Sequence, residues 1–257
     1  MLFGKNKSLV CFSPNPRAAV RLFCFPCAGG GASMYRRWST LLPDVEVWAV
    51  NYPGRETLHG QPFAPDLDAV LAPVLEHREL FAEKPFLVYG HSFGSLVAFA
   101  AAVRLQALGC QTRGVLGSAR RAPHLPTTQV ISHLPDDRFL AELDRFGGMP
   151  EAIRKDPEML AFYLPIIRAD LQLNDISLLP ESERIDAPLY LFSGSYDRVA
   201  TQAELMAWKN CSRGRFEHRE FKGGHFFLQD SAEEFTACIG RVISTIMQEP
   251  DEDLVAF

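Results

Sequence analysis

The chain has 257 residues, 47% of them hydrophobic, with 26 basic and 31 acidic residues and a formal net charge of -5. That length and apolar content suit a single α/β domain, with or without an insertion, and the charge balance argues against nucleic acid as a partner. No apolar run approaches the ~20 residues of a membrane span, and residues 1–8, polar with Lys5 and Lys7, do not read as a signal peptide. The expectation is a cytoplasmic protein whose six cysteines stay reduced.

Val20 to Phe25 is short and apolar and reads as a strand. Pro26-Cys27-Ala28-Gly29-Gly30-Gly31 follows, then a helix-like stretch from Ala32 to Leu42. Val45 to Asn51 reads as a second strand, Pro53-Gly54 as a turn, and Asp66 to Phe81 as a helix kinked at Pro73. Phe86 to Tyr89 is a third strand. Ser95 to Leu108, rich in Ala and Leu and stopped by Gly109, is helical. Gly114 to Ala119 is a fourth strand. From Leu125 to Ile185 helical pattern runs without a strand. One helix opens at Pro135-Asp136-Asp137 and ends at Gly147-Gly148, and another covers Pro157 to Asp170. Pro188 to Phe192 and Phe216 to Phe221 complete the strands, and Glu233 to Met247 is an amphipathic closing helix. The acidic tail, Glu249 to Phe257, reads as a frayed end. The alternation implies an α/β fold with a mostly parallel central sheet flanked by helices.

The most informative stretch is Gly90-His91-Ser92-Phe93-Gly94, placed between a strand and a helix. A serine on such a sharp turn is held out of the sheet, and glycines are needed because strand and helix approach closely there. This is the nucleophile elbow of the α/β-hydrolase fold, whose partners follow in the order serine, acid, histidine. Asp197, in the Ser193-Gly194-Ser195-Tyr196-Asp197 loop after a strand, is the acid. Its alternative reading is a helix-cap aspartate before Thr201. His225, in Gly223-Gly224-His225-Phe226-Phe227, is the base. His59, His77, His124, His133 and His218 read as surface residues, and His91 points away from the nucleophile. The glycine-rich loop after the first strand lacks the Gly-Lys-Ser/Thr of a phosphate loop. It reads as an oxyanion loop, with the backbone amides of Ala28 and Phe93 as donors.

Cys24-Phe25-Pro26-Cys27 is formally a C-x-x-C motif, but it straddles a strand end and has no second ligand pair, so a redox or zinc role is disfavoured. The strand-free segment 125–185 is expected to be a helical lid insertion within the single domain 1–257. Phe139, Leu143, Phe146, Met149 and Phe162 are its candidate acyl-channel residues. Arg55 and Arg168 read as ion-pair residues or, alternatively, as phosphate ligands.

Taken with Phe25-Pro26-x-Ala28-Gly29-Gly30, Arg36, Trp38, Tyr52-Pro53-Gly54-Arg55-Glu56, Leu164-Pro165-x-x-Arg168-Ala169-Asp170, Ala207-Trp208 and Gly223-Gly224-His225-Phe226-Phe227-Leu228, the elbow lies in a series of blocks that resembles the type II (editing) thioesterases of nonribosomal peptide and polyketide synthases. The resemblance covers nearly the whole chain. It implies hydrolysis of acyl thioesters on the phosphopantetheine arms of acyl or peptidyl carrier proteins, met transiently by a monomer. The chemistry calls for no metal and no cofactor. Two other readings stand beside it. One is a carboxylesterase or chain-releasing acyltransferase on the same triad, and the other is a non-catalytic module that binds carrier proteins.

Overall fold

The computed structural model describes residues 2–3, 7–147, 149 and 151–249. Its strands are β1 (Leu2–Phe3), β2 (Leu9–Cys11), β3 (Val20–Phe25), β4 (Val45–Val50), β5 (Phe86–His91), β6 (Gly114–Ser118), β7 (Leu189–Gly194) and β8 (Phe216–Phe221). They form one sheet in the order β1-β2-β4-β3-β5-β6-β7-β8. From β3 to β8 every pairing is parallel, while β2 runs antiparallel to β4 and β1 antiparallel to β2. The six predicted strands are therefore present, and the short antiparallel pair β1–β2 was not foreseen.

Every residue of β3, β4, β5 and β7 is buried, which is why these strands read as unbroken apolar runs: helices cover both faces of the sheet. Strand pleating divides the side chains between the two faces. Phe23 and Phe25 of β3 pack on one side with Phe86, Phe99 and Trp208. Leu22 and Cys24 pack on the other with Tyr89, Trp38, Phe235 and Ile239. The charged exceptions sit side by side: Arg21 faces Glu46 across β3 and β4, with Arg21 Nε donating to Glu46 Oε2 at 2.7 Å.

The helices are α1 (Trp38–Leu41), α2 (Leu67–Leu75), α3 (Arg78–Ala82), α4 (Phe93–Ala107), α5 (Asp136–Phe146), α6 (Glu151–Arg154), α7 (Pro157–Ile176), α8 (Gln202–Met206), α9 (Phe227–Asp230) and α10 (Ala232–Gln248). The single helix expected over Asp66 to Phe81 is two, α2 and α3. They part at Glu76-His77, where the ring Nδ1 of His77 lies 2.8 Å from the carbonyl of Pro73. That contact draws His77, read as a surface residue, into the protein, leaving it 3% exposed. The stretch Ala32 to Leu42 is a 3-10 turn over Ala32–Tyr35 followed by the short α1. Helices α5, α6 and α7 all lie between β6 and β7, in the segment expected as an insertion, and Gly147 ends α5 in the left-handed conformation at φ 70°. The expected frayed tail beyond Glu249 lies outside the described residues.

Backbone packs directly on backbone where the site is assembled. A Cβ at Gly90 would overlap the Gly94 carbonyl, one at Gly94 would overlap the Phe25 carbonyl, and one at Gly194 would overlap the Gly224 carbonyl. A Cβ at Gly117, by contrast, would meet its nearest neighbour at 3.5 Å, an ordinary contact. Gly94→Ala should therefore lower the unfolding free energy by roughly 3 kcal/mol or more, while Gly117→Ala should change it by less than about 1 kcal/mol. Urea denaturation of the two variants measures the difference, and equal effects would mean that the elbow relaxes freely.

Candidate active site

The carboxyl ends of the parallel strands are where groups gather in an open α/β sheet, and four loops meet there. Ser92 follows β5 at φ 53°, ψ -121°, a sparsely allowed conformation that costs on the order of 1–3 kcal/mol and survives only when its surroundings enforce it. The enforcement is visible. Ser92 N–H donates to Ser118 O at 2.8 Å. The Ser95 hydroxyl donates to Gly90 O at 2.9 Å and Ser118 O at 2.8 Å, and accepts from Ser118 N–H at 2.9 Å. Ser95 thus stitches the elbow to β6.

Asp197 and His225 come from the loops after β7 and β8. Ser195 N–H donates to Phe221 O and Tyr196 N–H to Gly223 O, each at 2.8 Å. With no side chain at Gly194, the two loops close on each other. His225 Nδ1 lies 2.9 Å from Asp197 Oδ2, and His225 Nε2 lies 2.9 Å from Ser92 Oγ. The other Asp197 oxygen, Oδ1, accepts from Val199 N–H at 2.9 Å. The two side chains are 7% and 4% exposed, so little water competes for either bond. The structure thus brings Ser92, His225 and Asp197 into one hydrogen-bonded chain. Such a chain can draw a proton from the serine hydroxyl to imidazole while the carboxylate orients the ring.

Ala28, on the loop after β3, lines the cavity that contains Ser92 and His225. Phe93 opens α4, so its amide is one of those a helix leaves without an intrahelical acceptor. The cavity wall is otherwise apolar: Cys27, Leu143, Phe146, Met149, Ile167, Leu171 and Phe226. Of the expected channel residues, Leu143, Phe146 and Met149 lie on this wall. Phe162 lines an adjoining, larger cavity beside the glycine loop and is 41% exposed. Phe139 is a correction: it is fully buried, packed with Leu143 and Ile131 in the insertion's own small core, with the Arg168 guanidinium 4.1 Å above its ring. Its apolar character serves to join α5 to α7. Ile167, Leu171 and Phe226 were not singled out from sequence, although Ile167 and Leu171 lie four apart on α7, the spacing of one helix face.

Neither arginine considered for phosphate is free to bind one. Arg55 is buried against Asp170, and Arg168 is bonded to the carbonyls of Ser132 and Leu134 and to Asp136. The cysteine pair is also quiet. Cys24 is in the core, and Cys27 Sγ lies 3.8 Å from Met34 Sδ, with burial pushing its thiol up to about 12. Both thiols therefore stay protonated and weakly nucleophilic.

His91 does point away from the nucleophile, but it is not idle. It is fully buried, its Nδ1 is 2.8 Å from Ser118 Oγ, and that hydroxyl lies 2.9 Å from Tyr89 Oη. Its ring lies at a tilt to those of His225 and Phe226, with centroids 5.3 Å away in each case. Burial, and then the neighbouring His225, hold its pKa well below the ordinary histidine range.

Residues 20–245 match the model of the Thioesterase domain family. The chain is 35% identical over 218 residues to a probable cadicidin biosynthesis thioesterase of Streptomyces griseus, which covers 84% of this chain and 60% of that protein. It is 34% identical over 247 residues to the thioesterase PikA5 of Streptomyces venezuelae, covering 95% of this chain and 88% of that protein. Among solved structures, the type II thioesterase BorB from the borrelidin biosynthetic cluster superposes with a TM-score of 0.82 at 29% identity, over 91% of this chain and 96% of that one.

The neutral, buried His91 has a consequence for stability. Unfolding exposes it to water, where it takes up a proton near pH 6.5. Below that pH the unfolded state binds more protons than the folded one. The contribution of His91 to stability is therefore full above about pH 6.5 and is lost as the pH falls toward its depressed folded pKa. Between about pH 7.5 and about pH 5.5, wild type should lose more unfolding free energy than His91→Gln, read from urea midpoints. Equal losses would mean that the folded protein accommodates a charged His91.

Proposed function

Because the chain belongs to the thioesterase family, we propose that it hydrolyses acyl thioesters by a serine mechanism, with Ser92 as nucleophile, His225 as general base and acid, and Asp197 as the orienting carboxylate. The observation that carries this reading is the pair of 2.9 Å links from Asp197 through His225 to Ser92, beside an apolar cavity. Ser92 Oγ adds to the thioester carbonyl while its proton passes to His225 Nε2, and Asp197 stabilises the imidazolium. The carbonyl oxygen, now anionic, accepts from the amides of Ala28 and Phe93, each donor worth a few kcal/mol. Collapse breaks the C–S bond. His225 protonates the departing thiolate, then takes a proton from water as it attacks the acyl-Ser92 ester, releasing the carboxylic acid and restoring the serine.

The substrate is an acyl group on the phosphopantetheine arm of an acyl or peptidyl carrier protein, and the enzyme clears aberrant or stalled groups. Support comes from relatives named for cadicidin biosynthesis and for the borrelidin cluster. The carrier contact is transient, since an editing enzyme must visit many carriers and leave quickly, and the enzyme is read as a monomer. The helices between β6 and β7 act as the lid. In support of this, α5 and Met149 place Leu143, Phe146 and Met149 over the cavity beside Ser92. No described helix is long and apolar enough to cross a membrane, and the enzyme is read as cytoplasmic.

Two measurements test this reading. Asp197→Asn should lower kcat by roughly four orders of magnitude, because the wrong imidazole tautomer is held; a loss of only a few-fold would assign the orienting role elsewhere. An acyl-loaded carrier protein should be hydrolysed with a higher kcat/KM than the same acyl group on a short cysteamine thiol, since binding energy from carrier and arm positions the carbonyl. Equal values across several acyl groups would contradict carrier recognition.

A further inference from the structure

The loop that carries Ala28 is held from a distance. Gly30 N–H donates to Cys27 O at 3.0 Å, closing a four-residue turn, and Gly29 has φ 76°, the value a type II turn requires at its third residue. In turns of this shape the central peptide, here the one joining Ala28 to Gly29, stands one way in type II and the opposite way in type I. Its N–H donates to Asp170 Oδ2 at 2.8 Å. Asp170 belongs to α7, 141 positions along the chain. The same carboxylate is gripped by both guanidinium nitrogens of Arg55, Nη1 to Oδ2 at 2.5 Å and Nη2 to Oδ1 at 2.7 Å. Arg55 Nη1 also donates to Gly30 O at 3.1 Å. One carboxylate and one guanidinium therefore bind the N–H of Gly29 and the carbonyl of Gly30.

Stability alone is a poor account of this pair. Its side chains are 5% and 4% exposed. Two charges taken out of water gain little over well-packed apolar residues of the same size. What apolar residues cannot do is fix the direction of a peptide. The chain also provides for the charge. Asp170 lies one peptide from the amide that is to bind an oxyanion, where an unpaired carboxylate would oppose the developing negative charge, and Arg55 neutralises it.

We infer that Asp170 and Arg55 are positioning residues for the oxyanion hole: by gripping the Gly29 N–H and the Gly30 carbonyl they fix the Cys27–Gly30 turn, and with it the adjoining Cys27–Ala28 peptide whose N–H faces the acyl carbonyl on Ser92. The inference rests on the serine mechanism proposed above. It also means that α7 is anchored to the catalytic loop, so that movement within the insertion is left to the elements before it.

An acyl trifluoromethyl ketone separates positioning from structure. Ser92 Oγ adds to its carbonyl carbon, the serine proton passes to His225, and the oxygen becomes an oxyanion; no leaving group departs, so the adduct accumulates. A thioether of the same chain length, with methylene in place of carbonyl, fills the cavity and forms no oxyanion. Asp170→Asn retains size and an acceptor for Gly29. It should lower kcat about tenfold or more with KM within about twofold, weaken the ketone by the same factor as kcat, and leave the thioether within about twofold. Arg55→Lys, which keeps the charge but loses the fork, should show the same parallel with a smaller loss, and serves if Asp170→Asn does not fold. Ketone and thioether weakened alike, or kcat unchanged beside a lowered Tm, would overturn the inference while leaving the serine mechanism intact. Failure of the wild-type enzyme to form the Ser92 adduct would overturn the mechanism and the inference with it.

Discussion

The Ser92 hydroxyl meets His225 because backbone crosses backbone without intervening side chains. At one crossing β5 and the start of α4 close against the end of β3 through Gly90 and Gly94. At the other, the end of β7 closes on the loop after β8 through Gly194, which meets the Gly223 and Gly224 carbonyls. Each crossing brings main chain nearer than any Cβ permits, and the functional atoms sit just beyond them. The first fixes the strained serine next to the glycine loop. The second sets Asp197 and His225 at hydrogen-bond distance from each other and then from Ser92.

Such closeness leaves buried polar groups that must find partners, and the structure uses small hydroxyls and one ion pair to supply them. Ser95 and Ser118 absorb the carbonyls and amides around the elbow. Tyr35 Oη donates to Phe25 O at 2.8 Å and Tyr52 Oη to Pro26 O at 3.1 Å, while Arg55 and Asp170 hold the glycines that follow. The loop bearing Ala28 is thus held along its length by side chains from elsewhere in the chain. Rigidity of that kind favours preorganised charge stabilisation, because the donors need not reorient when the oxyanion forms.

Much of this was legible in the sequence. Five of the six parallel strands announce themselves as short, largely apolar runs, since a sheet covered on both faces leaves no polar alternation, while the polar, partly buried β8 lies at the sheet edge; the elbow, acid and histidine occur in a fixed chain order. What was hidden depends on partners distant in sequence. Arg55 and Asp170 each appear in a recognisable block, but nothing local says that they meet. Ser118 looks like an ordinary strand end until Ser92, Ser95 and His91 are seen around it. Phe139 was misplaced because an apolar residue on a helix between β6 and β7 has two possible faces, and only the packed structure shows that it turns toward α7 and Arg168. The short strand β2 and the break between α2 and α3 escaped for the opposite reason, being set by edge pairing and by a single histidine-to-carbonyl contact.

The most direct measurement is rapid-quench mass spectrometry of the enzyme mixed with an acyl-loaded carrier protein, followed by peptide mapping. An increase equal to the mass of the acyl group less the hydrogen it replaces, on the peptide containing Ser92 and absent from Ser92→Ala, is the expected result. Hydrolysis that proceeds with no acyl-enzyme at Ser92, or with the acyl group on Cys27 of the same cavity, would contradict it.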